Sequence, residues 1–134
     1  MTARSFYWTC VSLALLLLGT SPAFALAFNV TTTADEFDAQ CDTHCSLRDA
    51  IRTANNVNEE NVINLPAGTY VLSRTGSNEN HAAKGDLDII GKISIVGTGG
   101  TETVIDGHQI DRVFHVMASS ELKLQGITIR HGNS

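Results

Sequence analysis

From Asn61 onward, the chain is a succession of apolar runs only two to four residues long, and this texture constrains the fold more than any other feature. Nearly every gap between the runs carries glycine or another turn residue. Strands this short are unstable singly and must pair within a larger sheet. The runs are 62–65, 69–72, 87–90, 93–96, 104–105, 113–116, 122–124 and 127–129.

Residues alternate between apolar and polar within these runs, as in Leu122-Lys123-Leu124, so each strand has one buried side. Two architectures can stabilise such strands: an antiparallel sandwich, or a parallel β-helix in which each coil stacks on the last. Hairpin turns of the Asn-Gly type are sparse, and glycine-containing corners between short runs favour the β-helix. The pattern therefore predicts an all-β fold of about two stacked coils.

A short amphipathic helix is predicted just before these strands. Ser46 suits the N-cap, and Asp49 three residues later completes an approximate capping box. A helix of about ten residues needs a docking surface to be stable in water, so we expect it to plug one end of the coils. Its apolar face comprises Leu47, Ala50, Ile51 and Ala54, and its polar side carries Arg48, Asp49 and Arg52.

Two loops accompany this helix in the predicted fold. The acidic stretch 35–40 follows a strand over 28–33, and we expect Arg48 to pair with Asp35 or Asp38 rather than with a ligand. The polar stretch 73–84 is predicted to be an exposed insertion.

The first 27 residues read as a signal peptide rather than as part of the domain. Arg4 precedes an apolar run at 11–18, and two A-x-A cleavage sites follow, ending at Ala25 or Ala27. The run is too short to span a bilayer, so no stable membrane span is expected after cleavage. The sequence predicts a secreted or cell-surface protein, with one domain over 28–134.

The formal net charge is −5, and loss of Arg4 makes the mature chain more acidic still. An acidic surface argues against nucleic acid, which is bound through clustered basic residues. It is compatible with calcium or with neutral glycans as ligands.

Cys41 and Cys45 are the cysteines that remain once Cys10 leaves with the signal peptide. In an exported protein their spacing favours a local disulfide. Two free thiols or a metal site are the alternatives, although a zinc site would need a second ligand pair.

Segment 45–51, with the sequence CSLRDAI, closely resembles the CSLREA motif, with Asp49 in the place of glutamate. The resemblance extends through the strand at 28–31, Cys41, and the stretches 63–70, 93–97, 103–107, 112–114 and 126–132. It implies an exported bacterial protein with a right-handed parallel β-helix of the pectin-lyase type, capped at its N-terminus by the motif. Members of that family commonly continue for more coils, so the resemblance also implies a truncated member. A solenoid needs a polar cap at each end, so we expect the last coil of this chain to expose Leu124, Ile127 and Ile129.

Residues that could carry chemistry are sparse in this sequence. A glycoside hydrolase needs two converging carboxylates, whereas a calcium-dependent lyase needs acidic ligands and a base. Asp86 and Asp88 share one strand face and form the best acidic pair, although we expect them to be solvated outward residues. The other candidates are Asp106, Asp111, Arg112, His108, His115 and His131, with Asp106-Gly107 predicted to form a corner in which glycine has a positive φ.

These observations favour a non-enzymatic scaffold or surface module that binds polysaccharide or other cell-surface components. No catalytic residue or cofactor is assigned, and calcium is the one ion considered. The alternative is the N-terminal part of a polysaccharide lyase or glycoside hydrolase whose active coils lie beyond this chain.

Overall fold

The computed structural model describes residues 25–133, which contain nine β-strands and one α-helix. The predicted signal segment up to residue 24, with Cys10, lies outside the described residues. Within 25–133 no helix is long and apolar enough to cross a membrane. The elements are β1 (Leu26–Asn29), α1 (Leu47–Asn55), β2 (Glu60–Leu65), β3 (Gly68–Val71), β4 (Leu87–Ile89), β5 (Lys92–Gly97), β6 (Thr103–Asp106), β7 (Phe114–Val116), β8 (Glu121–Gln125) and β9 (Thr128–Arg130).

All pairings among these strands are parallel, and strands distant in sequence lie side by side. The sheets have the orders β1-β2-β5-β8, β3-β6-β9 and β4-β7. The chain therefore winds as a β-solenoid, which confirms the predicted all-β fold with its capping helix. The stack makes about three turns, one more than predicted, because β8 and β9 begin a further coil.

Like side chains stack on one another inside the coils. Ile63 of β2 is in register with Ile95 of β5, and Ile95 with Leu124 of β8. A second column contains Tyr70 and Ile105. Parallel strands lie about 4.8 Å apart, so each side chain packs directly on its counterpart in the next coil. This stacking explains why runs of three or four residues are sufficient.

Strand β1 begins inside the predicted signal segment. Leu26 and Ala27 pair with Asn61 and Val62, which places them in the first layer of the stack. Cleavage after Ala27 would remove half of β1, whereas cleavage after Ala25 would leave the strand whole.

The corner at Asp106-Gly107 is present, but the expected positive φ of Gly107 is wrong. His108 and Gln109, with φ of 49° and 57°, adopt the left-handed conformation instead. Gly107 is needed for close packing, because a Cβ there would lie 2.7 Å from the carbonyl oxygen of His131 and 2.8 Å from Val113 Cγ2.

Helix α1 covers the first coil through its apolar face, as predicted. Leu47, Ala50, Ile51 and Ala54 are all buried. Two residues of the polar side of the helix are buried, however, because Arg48 and Asp49 are only 1% exposed, while Arg52 is partly buried. The loops at 35–40 and 73–86 contact this side of the helix. The stretch 73–84 is therefore not simply an exposed insertion, and Ala82 within it is completely buried.

The other end of the described stack leaves apolar side chains accessible. Val116, Leu124 and Ile129 are each about 40% exposed, which agrees with the predicted exposure of the last coil. Ile127 is half-buried against the core, contrary to that prediction. Unpaired strand edges of this kind favour association with other strands.

We predict that Ile51→Asp unfolds the domain, because it places a carboxylate at a fully buried position under the first coil. The expected loss is at least about 4 kcal/mol of unfolding free energy, a large share of a small domain's stability. Circular dichroism during urea unfolding measures it. Asn58→Asp adds the same charge at an exposed position near the helix end and should change stability little. Equal stability of the two variants would contradict the role of α1 as a plug.

Candidate functional site

The N-terminal cap is tied together by the predicted disulfide between Cys41 and Cys45. Cys45 is buried, and its carbonyl accepts a hydrogen bond of 2.8 Å from the Thr31 N–H. Its own N–H donates to Thr31 Oγ1 at 2.8 Å. The disulfide segment therefore joins the start of the helix to the chain that leaves β1.

The predicted capping box is also present. The N–H of Asp49 donates to Ser46 Oγ at 3.1 Å, and the N–H of Ser46 donates to Asp49 Oδ2 at 3.3 Å. Asp49 has a second role that its spacing did not predict. Its Oδ1 accepts the N–H groups of Asp38 and Ala39, so the same carboxylate caps the helix and holds the acidic loop.

Arg48 forms the predicted pair with Asp35 and not with Asp38. Its Nε donates to Asp35 Oδ1 at 2.6 Å, and Nη2 donates to Asp35 Oδ2 at 3.2 Å. The remaining guanidinium hydrogens donate to the carbonyls of Ala82, Gly85 and Asp86. All five N–H donors of this arginine are thus satisfied, which is what burial of a guanidinium requires.

Asp35 completes this network from the other side. Its Oδ2 also accepts the N–H groups of Ser73 and Arg74, at 2.7 and 2.9 Å. The pair therefore connects the helix, the acidic loop and the stretch after β3. Arg48 has a structural function, because no guanidinium hydrogen is left for a ligand.

We predict that Arg48→Met destabilises the domain by about 3–5 kcal/mol, because it leaves Asp35 buried without its counter-ion. Thermal and urea unfolding measure the change. Arg52→Met is the matched control on the same helix, since Arg52 is only partly buried and should cost less than about 1 kcal/mol. Similar losses in both variants would show that the pair is not what holds the cap.

The candidate acidic pair, Asp86 just before β4 and Asp88 within it, lies inside the protein. Asp86 is 4% exposed and Asp88 is 0% exposed, so the expectation that they are solvated outward residues is wrong. Strand alternation does point Asp88 away from the apolar column, but the stretch 73–86 folds over it. The Asp88 Oδ2 atom accepts the N–H of Ala82 at 2.9 Å.

Both aspartates bind cationic or imidazole groups from the next coil. His115 lies opposite Asp88 in the β4–β7 register, and its Nδ1 is 3.0 Å from Asp88 Oδ1. Arg112 donates from Nε to Asp86 Oδ2 at 2.9 Å, with Nη2 2.7 Å from the same oxygen. Burial raises the pKa of Asp86, and the nearby Asp88 carboxylate raises it further, while Arg112 opposes both effects.

A second cross-coil cluster lies at the β6–β9 corner. Asp106 accepts the N–H of His108 at 2.9 Å, the local hydrogen bond by which an aspartate stabilises a turn. Arg130 Nε donates to Asp106 Oδ2 at 2.8 Å, and His131 Nδ1 lies 3.0 Å from Oδ1. The His108 N–H, followed by the Arg130 guanidinium, lowers the pKa of Asp106 to about 2.

The three candidate histidines do not converge on one metal site. His115 belongs to the β4–β7 cluster, whereas His108 and His131 line an open cavity of about 350 Å³ with Gln109. Asp111 accepts the N–H of Arg112 and does not join the acidic pair as a ligand.

Two asparagines with structural roles were not predicted. Asn55 ends α1, donates to the Asp88 carbonyl and accepts the Ile90 N–H, so it joins the helix to the end of β4. Asn61 is fully buried and donates to the Ala54 carbonyl. The one sequence signal for the role of Asn61 was that a polar residue stands on the otherwise apolar face of β2.

We predict that Asp106 makes the domain sensitive to acid. A carboxyl whose pKa is lowered in the folded state stabilises the fold at pH values above its ordinary pKa of 3.8. This stabilisation is lost as the pH falls toward the folded-state pKa of about 2. Asp106→Asn should therefore be less stable than the unchanged protein at pH 5, and the difference should shrink between about pH 4 and pH 2. Thermal unfolding at several pH values tests this, and a difference independent of pH would contradict it.

Comparisons with protein-family models, with curated proteins and with solved structures find no match to this chain.

Proposed function

We propose that this chain is an exported, non-catalytic β-solenoid that serves as a scaffold or surface module and binds polysaccharide. Support for export comes from the signal-like N-terminal sequence and from the Cys41–Cys45 disulfide, a bond typical of oxidising compartments. Support for a non-catalytic role comes from the contacts that Asp86, Asp88 and Asp106 make with side chains of the next coil.

The observation that carries this proposal is the use of the candidate acids in contacts between coils. Asp86, Asp88 and Asp106 each contact an arginine or a histidine of the following coil. A glycosidase needs a carboxylic acid and a carboxylate that both reach the sugar. Asp88 is fully buried under the stretch 73–86, which we call the covering segment. A sugar cannot reach Asp88 without displacing this segment.

The outer face of the sheet β1-β2-β5-β8 offers a surface for binding. One outward row contains Asn29, Asn64, Val96 and Gln125, so three of its four residues are amides, and Asn64 Nδ2 donates to Asn29 Oδ1 at 2.8 Å. A parallel row contains Glu60 and Lys92. Amides present donors and acceptors together, which suits a ligand rich in hydroxyl groups. We assign polysaccharide binding to this face.

We predict that the purified protein binds neutral or acidic glycans on an array and releases no reducing or unsaturated ends from them. The double variant Asn64→Ala with Gln125→Ala should bind at least tenfold more weakly, because it removes two amides of the outward row. Thr69→Ala, an exposed residue of β3 on a different sheet, is the control and should bind normally. Absence of glycan binding by the folded protein would contradict the proposal, as would binding that the double variant retains.

A polysaccharide lyase is the second candidate function, and one specific contact favours it. The Asp106 carboxylate holds His131 through Nδ1, and His131 borders the open cavity with His108. An imidazole oriented by an ionised aspartate can act as a general base, and a lyase needs such a base beside the sugar carboxylate. Formation of unsaturated ends that depends on His131 would favour this function over the first.

A further inference from the structure

Asp86, Asp88 and His115 bring one potential metal ligand each to a single point between β4 and β7. Their ligand atoms all lie within 4.8 Å of one another. The parallel register produces this arrangement, because it places His115 directly opposite Asp88.

The hydrogen bonds around this cluster leave Asp86 Oδ1 free and engage Asp88 Oδ1 only with His115, which is itself a potential ligand. Arg112 holds Asp86 through Oδ2, and the Ala82 N–H holds Asp88 through Oδ2. Asp86 Oδ1 accepts no hydrogen bond from residues 25–133, although the side chain is only 6% exposed. Asp88 Oδ1 contacts His115 alone. Outer-shell donors that fix one oxygen of a ligating carboxylate are a regular feature of metal sites.

Charge and access are also consistent with a bound cation. Two buried carboxylates face one guanidinium, so the group is negative when His115 is neutral. The His115 side chain is 31% exposed, which gives an ion a path from solvent. Imidazole suits zinc and other first-row transition metals, while carboxylates suit manganese as well. Calcium prefers an all-oxygen site, which makes it the poorer match.

We propose that Asp86, Asp88 and His115 bind one divalent first-row transition cation, with Asp86 Oδ1, Asp88 Oδ1 and His115 Nδ1 as protein ligands. In this arrangement His115 carries its remaining proton on Nε2. The bound ion replaces the contact between His115 and Asp88, while Arg112 and the Ala82 N–H keep their present roles. The ion then links β4, β7 and the covering segment.

Chelator-treated full-length protein, without a histidine tag, tests this site by calorimetric titration with Zn²⁺ and by visible absorption after addition of Co²⁺. We expect one saturable equivalent, a cobalt spectrum typical of mixed nitrogen and oxygen ligands, and a higher melting temperature with Zn²⁺. His115→Gln should weaken binding at least tenfold. His108→Gln is the matched control, since His108 is exposed at another corner, and it should bind Zn²⁺ normally.

Asp88→Asn removes a second ligand, and circular dichroism shows whether that buried change preserves the fold. If Asp88→Asn does not fold, His115→Gln alone decides the question, because a change at the partly exposed His115 leaves the fold intact. Absence of saturable binding by the unchanged protein overturns the proposal, and so does equal Zn²⁺ binding by the His115→Gln variant. Glycan binding is measured separately, so failure of either proposal leaves the other intact.

Discussion

The cap depends on one buried ion pair, Arg48 with Asp35. Removing two charges from water is costly, and such a pair is stable only when every remaining donor and acceptor is satisfied. Here the guanidinium also donates to three carbonyls of the stretch 82–86, while the carboxylate accepts two N–H groups just after β3. One interaction thereby brings the helix, the acidic loop and the covering segment together over the first coil.

The same physical logic recurs between the coils. Asp86, Asp88 and Asp106 each contact a basic or imidazole side chain one coil further on. Apolar columns alone exclude a slip of one residue between coils, because such a slip exchanges the inner and outer faces. They do not exclude a slip of two residues, which keeps each side chain on its own face. Polar contacts between coils add pairings that only one register satisfies. We interpret these contacts as interactions that select the register.

Much of the local structure followed from short-range spacing. The Ser46–Asp49 capping box, the Cys41–Cys45 disulfide and the apolar face of α1 each involve residues within a few positions, so geometry along the chain was sufficient. Pairing of Arg48 with Asp35 or Asp38 was predictable, because an arginine on the polar side of a cap helix can reach the neighbouring acidic loop. The choice of Asp35 and the burial of the pair were not predictable. The candidate site was not predictable in the same way. Alternation indicates that Asp88 points away from the apolar column, but it does not indicate that the stretch 73–86 covers it.

The sequence by itself favoured stacked coils over an antiparallel sandwich and indicated that a capped amphipathic helix closes the stack, because both inferences depend on periodicity and local hydrogen bonds. Only the tertiary structure decided which residues meet. The segments that separate Asn61 from its partner Ile93, and Ile93 from its partner Leu122, differ in length, so no fixed repeat predicts the register. The meeting of Asp86, Asp88 and His115 depends on that register and on the covering segment, both of which follow from long-range packing.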